Sequence, residues 1–159
     1  MKKEGPNRLV DASLSSSHWR DLIKQYANTT LTEETKDRII AFSGIATAFG
    51  KHYNMEDQYV AGMWRCHLPK ALLWSRSRHT GSETYRSLEG YKAPSWSWMS
   101  LDGPLSLVGS SCTSSTGIDC CSLERVDLSL VDESNMTGQL ESGSIHIRGH
   151  LLRIPNGSF

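Results

Sequence analysis

The chain has 159 residues, 38% hydrophobic and 21% charged, with 17 basic side chains balanced by 17 acidic ones. That length suits one domain with a sizeable core, and the zero net charge removes the main electrostatic argument for nucleic acid or an anionic membrane as partner. No window approaches the ~18 apolar residues of a membrane span, and Met1-Lys2-Lys3-Glu4-Gly5-Pro6 lacks the apolar run of a signal peptide. A cytoplasmic protein is expected, with Cys66, Cys112, Cys120 and Cys121 as free thiols.

Residues 1–16 are polar, end in a serine run and read as a flexible lead-in. Ser17 suits the N-cap of a helix in which Trp19, Leu22, Ile23 and Tyr26 recur at i, i+3, i+4 and i+7, with Asn28-Thr29-Thr30 as its break. Thr32 is a good cap for a second helix, and Glu33 and Glu34 favour its positive end. Ile39, Ile40, Phe42, Ile45, Ala46 and Phe49 cover more than one stripe of it, so it is expected to be the most buried helix. Gly44 in its middle costs about 1 kcal/mol against alanine and points to a close helix crossing, with a ligand-facing gap as the alternative.

Tyr59 to Trp64 reads as a short helical turn, and His67 to Trp74 as a third helix opened near Pro69. Residues 75–90 are rich in serine, arginine and glycine and read as an exposed loop. The stretch from Tyr91 to Pro104 then organises the rest of the chain. Trp96 and Trp98 stand two apart, so a strand there would point both indoles to one face, with Asp102-Gly103 as a hairpin turn. Leu105, Leu107 and Val108 suggest its hairpin partner, and Gly109 to Gly117 a loop. Leu123, Val126, Leu128, Leu130 and Val131 suggest a strand with partial alternation, Asn135 to Gly138 a turn, and Ile145, Ile147, Leu151 and Ile154 a last strand. The period changes from helical to extended near residue 92. The expected fold is therefore α+β, a helical part (17–92) packed on a small antiparallel sheet (93–159) in one domain.

Catalytic and metal signatures are sought and not found. Gly44 with Gly50-Lys51 has the wrong spacing for a phosphate loop, and His52 stands where serine or threonine is needed. The four cysteines with His67, His146 and His150 lack zinc-site spacing. His146 and His150 in a strand would lie roughly 13 Å apart, too far to share one ion. Asp37, Asp57, Glu89 and Asp102 would make an acid–base pair only if the fold joined two of them. The sequence implies no cofactor and no metal. Its most unusual feature is the aromatic set Trp64, Trp74, Trp96 and Trp98, which suits either a core that knits helices to sheet or a surface that docks a protein or stacks on a sugar.

Several blocks together resemble a known family. Trp19 to Tyr26, Leu31-Thr32, Asp37 to Ala46, Tyr59 to Trp64, Leu72-Leu73-Trp74 and above all Ala93-Pro94-Ser95-Trp96-Ser97-Trp98 are similar to the region that follows the heterokaryon-incompatibility domain in filamentous-fungal proteins. The likeness runs from about residue 18 to about 154 and weakens through Thr137 to Leu140 and Gly143 to Ile145. The Leu-Ser-Tyr-x-Trp-Gly type motif that opens the family's defining domain does not occur here. The resemblance implies a C-terminal fragment or truncated relative, with no catalytic residue to carry over. It implies a non-enzymatic module whose partner is a heterokaryon-incompatibility domain, in cis or in trans, within non-self recognition and cell-death signalling. The alternatives are an independent protein- or carbohydrate-binding module using the tryptophans, and a carboxylate-based hydrolase.

Overall fold

Two helices come first and antiparallel strand pairs follow, an α+β fold. The computed structural model describes residues 8–27, 35–77, 91–101, 103–107 and 121–150. The break at Asn28, the cap at Thr32, Asp102, Val108, Gly109 to Gly117, Cys112, Cys120, Leu151, Ile154 and the 78–90 part of the expected loop lie outside these residues.

Helix α1 spans Arg8–Ala27, so residues 8–16 are helical rather than a lead-in. Serines weaken a helix only modestly, and here a tertiary contact decides: Ser15 is buried and its hydroxyl meets His67 Nε2 at 3.1 Å. The expected stripe faces inward, with Trp19 and Ile23 buried and Leu22 and Tyr26 packed beside them. Helix α2 spans Thr35–Tyr53 and buries Ile39, Phe42, Ala46 and Phe49. It ends in a Schellman turn: Asn54 is left-handed at φ 54°, and the Met55 and Asn54 amides reach back to the Gly50 and Lys51 carbonyls at 2.8 and 3.5 Å. Gly44 makes no close crossing among the described residues, because a Cβ placed there would meet none of their atoms within 4 Å.

Tyr59 to Trp64 is a tight hairpin rather than a helical turn. Strands β1 (Tyr59–Val60) and β2 (Met63–Trp64) pair antiparallel about Ala61-Gly62, whose φ values of 47° and 85° are the two positive values a type I′ turn demands. The expected third helix over 67–74 is replaced by 3₁₀ turns at Arg65–His67 and Lys70–Leu72 and by strand β3 (Trp74–Arg76). A short apolar run does not distinguish helix from strand by periodicity, and Trp74 finds its partner in Leu107 of β4 (Leu105–Leu107). The 105–107 strand thus pairs with 74–76, not with the tryptophan stretch, and the loop expected at 75–90 opens as strand.

The last pair is a ribbon of ten-residue strands, β5 (Cys121–Leu130) and β6 (Leu140–Gly149). Its register shifts between Leu123 and Arg125, and that bulge explains the partial alternation of the sequence. Leu123 pairs with Ile147 before it, and Val126 with Ile145 after it, so the apolar phase changes from odd to even numbers on β5 while one face is kept. The tip of the ribbon rests on α2 through hydroxyls: Thr137 Oγ1 lies 2.7 Å from Ser43 Oγ and 3.1 Å from Thr47 Oγ1.

These elements converge on one aromatic core. Trp19 touches Phe42, Phe49 and Trp64 at centroid distances of 5.2, 4.7 and 5.2 Å, and Trp98 stands edge-on to Phe42 at 5.0 Å. Offset and edge-on pairs of this kind add about 0.5–1.5 kcal/mol each beyond the apolar area they bury.

Candidate functional site

The stretch Ala93 to Trp98 is not a strand; it is a clasp around the β1–β2 turn. Its alternation suggested a strand, but serine side chains bond the local backbone and compete with the ladder. The Ser97 amide closes a turn onto the Pro94 carbonyl at 2.8 Å, and Ser97 Oγ accepts the Met99 amide at 3.1 Å, capping a 3₁₀ turn over Trp98–Ser100. The two indoles therefore part company. Trp98 enters the core while Trp96 turns to the ribbon.

Two carbonyls of the turn are held by side chains. Ser97 Oγ donates to the Ala61 carbonyl at 2.6 Å. The Gly62 carbonyl accepts two indole N–H groups, from Trp98 at 2.8 Å and from Trp19 of α1 at 3.0 Å. A carbonyl has two lone pairs, and here both serve to join a hairpin, a clasp and a helix at one atom. Tyr59 and Met99 close the same region, and burial pushes the Tyr59 phenol well above its usual range.

On its other side the clasp holds the ribbon. Trp74 Nε1 donates to the Trp96 carbonyl at 2.9 Å, and Trp96 Nε1 donates to the Gly143 carbonyl of β6 at 3.3 Å. Gly143 is required there, because a Cβ would lie 2.6 Å from Pro94 Cγ and 3.0 Å from Leu128 Cδ2.

Of the four expected tryptophans, Trp64 and Trp98 are therefore fully enclosed, at 0% and 2% exposure, and present no face to a sugar. Trp74 and Trp96 are half-buried. Trp64 Nε1 is buried without a hydrogen-bond partner among the described residues; the rings of Trp19 and Tyr59 stand edge-to-face with it. The fifth member, Trp19, was legible only as part of a helical stripe. Its N–H target is a backbone oxygen 43 residues away, which no spacing rule reveals.

Among the described residues no three His, Cys, Asp or Glu side chains are placed to hold a metal ion. Cys66 and Cys121 are free, and partial burial pushes the Cys66 thiol up, away from an activated thiolate. Asp127, Arg125 and His146 form an exposed cluster on the ribbon, with Asp127 Oδ2 at 2.8 Å from Arg125 Nε and 3.2 Å from His146 Nε2. No described helix is long and apolar enough to cross a membrane. Comparison with known proteins returned no match, whether among family models, curated proteins or solved structures.

Proposed function

We propose that this chain is a non-catalytic accessory module of the heterokaryon-incompatibility type, working in the cytoplasm and docking on the domain that defines that family. The block with the strongest resemblance, Ala93 to Trp98, serves here to lock the fold, which supports a structural rather than a chemical role for it. The observation that carries the reading is the outward face of α2. From Ile39 to Gly50 the helix has no charged residue, yet Ile40, Ala41, Gly44 and Ala48 all face out, Ile40 at 69% exposure. Water-facing helix surfaces ordinarily carry charge, and an uncharged face of this kind marks an interaction surface.

The test is a pull-down of the chain with a heterokaryon-incompatibility domain, repeated with Ile40→Glu and Ala48→Glu. Glutamate is a good helix former, so circular dichroism should be unchanged while capture falls at least about ten-fold, the loss of roughly 1.4 kcal/mol of binding. A wild-type chain that captures no such domain and runs as a monodisperse monomer in light scattering overturns the reading.

A further inference from the structure

An open groove of about 350 Å³ separates α1 from α2. Its volume lies in the range of small-ligand sites. Its apolar part is the buried Phe49 and the half-buried Leu22, and its polar groups are His18, Asp21 and Gln25 from α1 with His52 and Tyr53 from α2.

The rings are set by one another rather than free to turn. Tyr53 lies 4.6 Å from Phe49 and stands edge-on to His52 at 4.7 Å, and its hydroxyl meets His18 Nδ1 at 2.5 Å. Among the described residues Asp21 is the single carboxylate lining the groove, and no lysine or arginine lines it. One acid beside the rings of Phe49 and Tyr53, with no lysine or arginine among the described lining residues, suits an organic cation better than a carboxylate or phosphate.

We propose that this groove takes the guanidinium of an arginine side chain presented by a partner protein. A planar guanidinium stacks on rings and offers paired N–H donors to a carboxylate, here Asp21, with the Gln25 side-chain oxygen as a further acceptor. A lysine ammonium is a compact, strongly hydrated charge that gains less from flat walls. Only the source of the arginine rests on the protein-binding reading above; the chemistry of the groove stands apart from the outward face of α2.

The experiment is a nuclear magnetic resonance titration of the full chain with Nα-acetyl-arginine amide, read at the imidazole signals of His18 and His52. A probe of that size is expected to bind in roughly the millimolar range. Both histidines should shift saturably, and Asp21→Asn, an exposed position, should weaken binding about five-fold. The uncharged citrulline analogue should give no saturable shift. No saturable response to the arginine probe, an equal response to citrulline, or an unchanged affinity in Asp21→Asn overturns the site. An equal response to the lysine analogue overturns the guanidinium assignment. The probe needs no partner domain, so a failed pull-down and a failed titration are read separately.

Discussion

Gly62 shows how much one residue can carry when three elements meet on it. Its φ of 85° belongs to the left-handed region, its carbonyl takes two indole N–H groups, and a Cβ would stand 2.8 Å from Met99 Cγ, Met99 Sδ and Trp98 Nε1. Its neighbour Ala61 is also left-handed, which costs an L-residue about 1–2 kcal/mol. The Ser97 hydroxyl on its carbonyl offsets part of that strain. Gly62→Ala adds strain and overlap together, so a loss of about 3 kcal/mol is expected in urea denaturation. Trp98→Phe and Trp19→Phe each remove one donor while the other stays, and the expected hydrogen-bond loss is nearer 1 kcal/mol apiece. If Gly62→Ala unfolds at the wild-type midpoint, the clasp does not hold the turn as described.

Helix α2 offers the opposite case, a glycine that the fold does not require. A Cβ at Gly44 meets none of the described residues, and the glycine is exposed in a helix interior. Gly44→Ala should therefore stabilise the isolated chain by about 0.5–1 kcal/mol, visible as a higher midpoint in thermal or urea unfolding. A destabilised variant would show that something packs on Gly44 after all. The same helix shows what the sequence makes legible. The 3.6-residue pattern of Trp19 to Tyr26 and of Ile39 to Phe49 marks the inward faces because burial itself sets that period. Gly44 misled because its helix is buried on one side only, and the apolar Ile40 faces solvent. The hairpin at Tyr59 to Trp64 was hidden, since strands of two residues cannot alternate and Ala-Gly is not the usual turn pair. In Ala93 to Trp98 the period of two was real, but serine bonds to the local backbone overrode it. Trp64, Trp74, Trp96 and Trp98 were recognisable as a set. Their joining points were not, because the Gly62 and Gly143 carbonyls are backbone atoms brought to them only by the finished fold.

For the whole chain the joint between α1 and the turn at Arg65–His67 makes stability depend on pH in the acid range. His67 is buried, and its Nε2 lies 3.1 Å from the buried Ser15 hydroxyl, with which it shares a hydrogen bond. Burial, aided by the positive charge of Arg20, pushes the imidazole down from 6.5 to about 4. Above pH 6.5 both folded and unfolded chains hold His67 neutral, and the stabilisation is fully present. Between 6.5 and 4 the unfolded chain takes up a proton that the folded chain refuses, so stability falls as the pH falls. The total loss from this one group is about 3 kcal/mol, a large share of the 5–15 kcal/mol that holds a typical domain together. Carboxylates titrate in the same window, so the group must be isolated by comparison. His67→Gln keeps a side-chain acceptor near Ser15 and removes the titration. The stability difference between wild type and this variant, measured by urea unfolding at pH 7.5 and again at pH 4, should shift by about 3 kcal/mol in favour of the variant at the lower pH. A difference that stays constant across that range would mean that α1 is held to the core without any call on the neutral form of His67, and that the pH dependence lies with the carboxylates.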